Sequence, residues 1–232
     1  MKMFVFPHSG GFGYQYNFFK KFNFEKIDEV YTYDYPRKYQ TNNAVVAERN
    51  FEERVEVALQ WILSHDVSSN NVVLFGHSLG AFVAYEVGLA LKNRHAIEPS
   101  CVIMSSQNPP VAYPKIRDQF REMHVDLDEF LGKLGGMTTD ISNNKASMEF
   151  YKAILNTDLH LLDNYEPSIP NAATRLKRLF AFYADKDPIL DFSQWNLWDS
   201  CASECRLFPY VGNHFYIYEE MESVMRTIDG CI

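Results

Sequence analysis

Residues Val72 to Tyr85 read VVLFGHSLGAFVAY, an apolar stretch broken at its centre by Gly76-His77-Ser78-Leu79-Gly80. The residues before the break are β-branched or aromatic and of strand length; those after it carry apolar residues at helical spacing. A strand that runs through Gly-x-Ser-x-Gly into a helix is the setting of a nucleophile elbow. The two glycines let the backbone turn sharply where a side chain would strike neighbouring backbone, and the serine is held at the tip in a strained conformation. Its hydroxyl then points out of the core, at a helix N-terminus whose free N–H groups and positive dipole end face a developing oxyanion. Leu79 supplies one such amide. Composition alone gives about 0.03 Gly-x-Ser-x-Gly matches in a chain of this make-up. Ser78 is therefore read as a nucleophile and not as a plain strand-helix turn.

Outward from this motif, short apolar runs alternate with helical patterns. Strands are expected at 3–6, 30–33, 71–75, 101–104, 178–183 and 205–210. Between them, Phe51, Val55, Ala58, Leu59 and Ile62 fall at helical steps with charges on the other face, and the segment after Ser78 repeats the pattern. Alternating strands and helices imply right-handed crossovers and an α/β fold, with a mostly parallel sheet and helices on both faces. At 232 residues and 47% hydrophobic composition, one domain spanning 1–232 is expected. Residues 124–170 break the alternation. They carry no strand pattern, but Leu127, Phe130, Leu131 and Leu134, then Met148, Tyr151, Leu155, Leu159 and Leu162, keep helical spacing. The stretch is long for plain crossover helices and is read as a helical lid insertion over a pocket, with Gly132, Gly135 and Gly136 as candidate hinges.

Composition excludes several classes. The N-terminal apolar run is too short for a signal segment, and no run approaches the ~18 apolar residues of a membrane span. A soluble, cytoplasmic protein with no membrane partner is expected. Cys101, Cys201, Cys205 and Cys231 have neither the density of a disulfide scaffold nor the paired spacing of a metal site, so they are read as reduced thiols with no metal. A net charge of −8 argues against a nucleic-acid partner. The cluster Arg175, Lys177 and Arg178 is read as a solvated face.

A serine hydroxyl needs a base, usually a histidine oriented by a carboxylate. On a sheet of this kind the chain order is serine, acid, histidine. His214, after the last expected strand, fits the base. His8 and His77 flank the site and are read as packing or supporting residues, and His65, His95, His124 and His160 fall in or at the ends of expected helices. The acid belongs in the loop after the penultimate strand, where Asp185, Asp187 and Asp191 stand. Asp187 is favoured over Asp185 because Pro188 rigidifies the turn behind it.

These residues also carry a family resemblance. FPHSGG at 6–11, Tyr35-Pro36-Arg37, GHSLGAFVAYEV at 76–87, LGKLGG at 131–136, LNTDLHLLDNYE at 155–166, ADKDP at 184–188 and GNHFYI at 212–217 together resemble the type II thioesterases of nonribosomal peptide and polyketide assembly lines. The resemblance runs nearly end to end and implies an α/β-hydrolase fold with a mobile helical lid. It further implies that Ser78, Asp187 and His214 are nucleophile, acid and base, and that the loop Pro7–Gly11 gives a second oxyanion amide, from Ser9 or Gly10 with Ser9 favoured. Two positions depart from the family pattern. Ser9 stands where alanine is usual, which leaves backbone donation intact; Ala184 stands where glycine is usual, which keeps Asp185 in contention.

The implied activity is hydrolysis, in trans, of acyl or aminoacyl thioesters from the phosphopantetheine arms of acyl or peptidyl carrier proteins, by a monomer without metal or organic cofactor. Action in trans is also expected because the sequence leaves no room for a fused carrier. Two alternatives stand beside it: a small-molecule carboxylesterase or acyl-CoA thioesterase on the same fold, and a non-catalytic binding module descended from a hydrolase. The second is disfavoured because all three triad positions are filled.

Overall fold

Strands buried on both faces belong inside a parallel sheet, because only there do helices cover both sides. The computed structural model, which describes residues 1–39, 45–122, 127–134 and 145–232, places them so. In chain order the strands are β1 (Lys2–Phe6), β2 (Glu29–Thr32), the short antiparallel pair β3 (Lys38–Tyr39) and β4 (Val45–Val46), β5 (Val72–His77), β6 (Cys101–Ser105), β7 (Leu176–Ala184) and β8 (Ala202–Tyr210). The main sheet has the order β2-β1-β5-β6-β7-β8, and every pairing in it is parallel. β5, the strand that ends at the elbow, is buried along its whole length, whereas the edge strand β8 is mostly exposed.

Seven helices are described: α1 (Phe51–Leu63), α2 (Leu79–His95), α3 (Tyr113–Glu122), α4 (Leu127–Leu134), α5 (Lys145–Asp163), α6 (Tyr216–Glu219) and α7 (Met221–Cys231). α1 starts where the Asn50 side chain accepts the Glu53 amide, with Glu52 and Glu53 facing the positive end of the helix. α2 is buried continuously from Leu79 to Leu91, as a helix lying directly on the sheet must be, and its last turn carries Lys92, Arg94 and His95 at the negative end.

The strand period of two sorts the core into layers. Phe4, Phe6, Leu74, Val102 and Met104 face α1 and α2, while Met3, Val5, Val73, Phe75, Cys101 and Ile103 face Tyr216, Ile217, Val224 and Ile228 of the C-terminal helices. Ser9, Ser78, Asp187 and His214 follow the carboxyl ends of β1, β5, β7 and β8, so the topology gathers them at one edge of the sheet, where open α/β sheets form sites.

All six long strands lie where the sequence pattern puts them. Among the described residues, α3, α4 and α5 lie between β6 and β7, and the first begins earlier than the pattern suggests: α3 precedes residue 124, and its run YPKIRDQFRE is too polar to announce itself. Residues 123–126 and 135–144, with His124, Gly135 and Gly136, lie outside the described residues. The basic cluster needs correction. Lys177 is exposed, but Arg175 Nη1 donates to the Asp199 carbonyl at 3.3 Å and Arg178 Nε to the Ser100 carbonyl at 2.9 Å, so two of the three cations tie β7 to its neighbours. The four cysteines are free thiols.

Candidate active site

Ser78 sits between β5 and α2 with φ 57° and ψ −121°, a conformation that costs a non-glycine residue about 1–3 kcal/mol and persists only where its surroundings fix it. Here they do. The Ser78 amide donates to the Ser105 carbonyl at 2.8 Å, and a Cβ on Gly76 or Gly80 would meet the Gly80 carbonyl oxygen at 1.9 Å or the Phe6 carbonyl oxygen at 2.2 Å. No side chain fits at either glycine. The Leu79 amide, first of α2, has no intrahelical acceptor and opens beside the serine.

His214 stands on the turn between β8 and α6, where the Ser106 hydroxyl donates to its carbonyl at 2.9 Å. Its Nδ1 lies 2.9 Å from Asp187 Oδ2 and 3.1 Å from Oδ1, and both side chains are buried. A carboxylate only accepts, so Nδ1 carries the proton, and in the neutral ring Nε2 keeps a lone pair free to take another. Asp187 is fixed in turn by the Ile189 amide at 3.2 Å. Asp185 turns away to accept the Gly212 amide at 3.0 Å, and Asp191 caps the 3-10 segment Phe192–Ser200 through the Ser193 amide. Of the three candidate acids, the structure brings only Asp187 to the histidine.

Two further histidines surround this pair. His77 Nδ1 meets the Ser105 hydroxyl at 2.9 Å, and that hydroxyl meets the Tyr216 hydroxyl at 2.8 Å. His8 Nδ1 meets the Tyr16 hydroxyl at 2.7 Å, and its ring stands edge-on to Phe215. Burial holds His8 down at about 3, with His214 and Arg37 adding to the effect, and burial likewise holds His77 well below the ordinary histidine value. Both therefore stay neutral near neutral pH, so neither places a charge beside His214. His65 bonds the Trp61 carbonyl at 2.8 Å, and His95 and His160 are exposed on their helices.

Ser78, Ser9 and His214 open onto a cavity of about 320 Å³. Its wall is mainly apolar, with Ile116 from α3, Leu131 and Leu134 from α4, and Leu155 and Leu159 from α5. Arg117, Arg121 and Asp163 add charge to the same lining. A chamber of this size and lining has room for an apolar chain beside the serine. Among the described residues, Ser78 Oγ makes no hydrogen bond; contacts of this kind commonly close only when substrate is bound. Among the described residues, no group of three or more His, Cys, Asp or Glu is placed to hold a metal ion.

The Pro7–Gly11 loop borders the same chamber. The Gly10 amide donates to Asp158 Oδ2 of α5 at 2.8 Å, so it is not free for an oxyanion; among the described residues the Ser9 amide has no such partner. Asp158 belongs to a buried cluster absent from the chemistry read in sequence. Its Oδ2 also accepts Arg37 Nη2 at 2.6 Å, and Arg54 Nη1 stands 2.8 Å from its Oδ1, an ion pair outside hydrogen-bond angles. Arg54 in turn binds Glu48 at 2.9 Å. Two cations and two anions balance. The signal was present: Asp158 shares the buried face of α5 with Tyr151, Leu155 and Leu162, and a carboxylate on an apolar helix face requires a partner.

The sequence matches the thioesterase domain family over residues 1–232. The medium-chain S-acyl fatty acid synthase thioesterase of Homo sapiens is 24% identical over 147 residues, which are 62% of this chain and 55% of that protein. The chain thus spans about half the length of that relative. The RedJ thioesterase from the prodiginine biosynthetic pathway in Streptomyces coelicolor superposes with a TM-score of 0.82 at 22% identity, covering 100% of this chain and 85% of the other. The type II thioesterase BorB from the borrelidin biosynthetic cluster gives 0.73 at 18% identity, covering 98% and 90%. The two superpositions assign the fold, that of an α/β hydrolase. The match in sequence, which reaches from the first residue to the last, assigns the family: this chain belongs to the thioesterase domain family.

Proposed function

We propose that this chain hydrolyses acyl thioesters from the phosphopantetheine arms of acyl or peptidyl carrier proteins, acting in trans as an editing enzyme for a peptide or polyketide synthase. The observation that carries the reading is the Asp187–His214 pair beside the strained Ser78, at an apolar chamber walled by helical residues. The likeness to BorB, described as a type II thioesterase, supports the assembly-line setting.

Ser78 attacks the thioester carbonyl while His214 Nε2 takes its proton, and Asp187 holds the ring in the required tautomer and stabilises the imidazolium. The Leu79 and Ser9 amides receive the oxyanion. The pantetheine thiol leaves; because a thiol is far more acidic than an alcohol, departure needs no further acid. Water, activated by the same histidine, then frees the acid. The leucine-rich wall suits an alkyl acyl group. Within 124–170, α4 and α5 act as the lid under which the arm enters, in a single domain spanning 1–232 that works as a cytoplasmic monomer. Among the described residues, no helix is long and apolar enough to cross a membrane.

Labelling with a fluorophosphonate, adduct mapping by mass spectrometry and hydrolysis of an acyl-carrier thioester test the reading together. The adduct is expected on Ser78, with Ser78→Ala inactive. An adduct elsewhere, or full activity in that variant, ends it.

A further inference from the structure

We propose that Asp158 is a positioning residue for the oxyanion loop, so that α5 both walls the acyl chamber and sets the aim of the Ser9 amide. The inference rests on the reading of Ser9 and Leu79 as oxyanion donors. His8 to Gly11 form a β-turn in which the Gly11 amide donates to the His8 carbonyl at 2.9 Å and Gly10, at the third position, has φ 76°. A positive φ there is the type II arrangement, which differs from type I by a flip of the central Ser9–Gly10 peptide. The amide of that peptide is the one held by Asp158 at 2.8 Å. The far side of the turn is held as well, because Arg37 Nη1 donates to the Gly11 carbonyl at 2.9 Å while its Nη2 binds Asp158. The flip does not itself turn the Ser9 amide, because the second turn position has a φ of about −60° in both types. Asp158 acts on that amide by holding the whole turn in place, at the Gly10 amide directly and at the Gly11 carbonyl through Arg37.

The same helix presses on the turn a second time. A Cβ on Gly10 would meet Tyr151 Cε2 at 2.9 Å, so the Tyr151 ring lies against the loop backbone. Tyr151 and Asp158 are seven residues apart on one face, and Leu155 between them lines the chamber. A displacement of α5 large enough to reshape the acyl wall must also pull on the Gly10 amide. Acyl fit and oxyanion geometry are joined in one rigid element, with no carboxylate in contact with the substrate.

The test compares Asp158→Asn with Asp158→Leu. Both remove the same buried charge, but only the asparagine keeps an oxygen that can accept the Gly10 amide. The expected result is that Asp158→Leu lowers kcat by about 10²-fold with KM little changed, the size seen when an oxyanion donor is lost. Asp158→Asn recovers kcat to within about tenfold of the starting enzyme. Equal losses in both variants, or a loss confined to KM, reduce Asp158 to a fold-holding ion pair and overturn the proposal. Should the single variants unfold, the same pair in an Arg37→Gln background, where Arg54 and Glu48 remain a neutral pair, repeats the comparison. Failure of the underlying reading shows separately, in the unaltered enzyme: no thioester hydrolysis and no Ser78 adduct, an outcome that removes the inference with it.

Discussion

Asp187 meets His214 Nδ1 with both carboxylate oxygens, at 2.9 and 3.1 Å, while Asp185, two residues earlier in the same loop, faces the Gly212 amide. The two carboxylates differ in what they can do to the histidine. Asp187→Asn presents an amide that can favour the wrong imidazole tautomer, and kcat is expected to fall by about 10⁴, as in serine proteases. Asp185→Asn keeps an oxygen for the Gly212 amide and is expected to stay within about tenfold. Steady-state hydrolysis of an acyl-carrier thioester measures both, and the reverse ranking refutes the assignment.

The elbow makes a second prediction, about folding. A methyl group on Gly80 would lie 2.2 Å from the Phe6 carbonyl oxygen, and one on Gly76 would lie 1.9 Å from the Gly80 carbonyl oxygen. Backbone cannot yield as a side-chain tip can, so Gly76→Ala and Gly80→Ala should each lower the urea midpoint strongly or abolish soluble expression. Ser78→Ala removes only a hydroxyl and should keep the midpoint of the parent. A normal midpoint in either glycine variant contradicts this geometry.

The strands were legible because burial on both faces writes an unbroken apolar run, and Ser78 because a glycine-serine-glycine turn between strand and helix has few other uses. His214 followed from chain order alone. Asp187 was already favoured over Asp185 by Pro188 behind it and by the family resemblance, and the structure adds the reason, since the turn aims Asp187 at His214 and Asp185 at the Gly212 amide. For Asp158 the sequence showed that a partner was needed but not which one: Arg37, Arg54 and Gly10 lie far from it along the chain and meet it only in the fold. β3 and β4 escaped because two-residue strands carry no periodicity, and α3 because its only large apolar residues, Tyr113, Ile116 and Phe120, keep helical spacing but stand among seven polar, charged or proline residues.

Acid should destabilise the fold through two neutral histidines. His8 is held at about 3 and His77 well below its ordinary value, first by burial and then by neighbouring histidines. In the unfolded chain each titrates near 6.5. As pH falls below that value the unfolded state gains protons that the folded state refuses, so stability drops from about 6.5 toward 3, by up to about 1.4 kcal/mol per pH unit for each group, and is unaffected above. Replacement of His8 by glutamine, which can still bond the Tyr16 hydroxyl, should flatten the slope. Denaturant unfolding across that range gives the answer, and parallel slopes in the two proteins refute it.

The final prediction concerns the partner. An enzyme that acts in trans, as proposed, meets its carrier by diffusion and needs only a transient interface, so discrimination must come from the arm and its acyl group in the chamber together with local contacts. The chain carries a net charge of −8, and carrier proteins are commonly acidic, so long-range attraction cannot drive encounter. Arg117 and Arg121, in the chamber lining, offer local positive charge, but Arg117 is already paired with Glu166 at 3.0 Å and Arg121 lies 3.6 Å from Asp163. Added salt should therefore change kcat/KM on a carrier substrate only slightly, and if anything raise it by screening repulsion between two anions. The same acyl group should be hydrolysed with much higher kcat/KM on the carrier than on coenzyme A, because only the carrier adds protein contacts to those of the shared arm. Hydrolysis of acetyl-carrier and acetyl-coenzyme A at low and high salt separates the alternatives. Equal efficiency on both identifies an acyl-CoA thioesterase or general esterase, and a steep fall with salt on the carrier alone reveals a basic docking patch that the overall charge conceals.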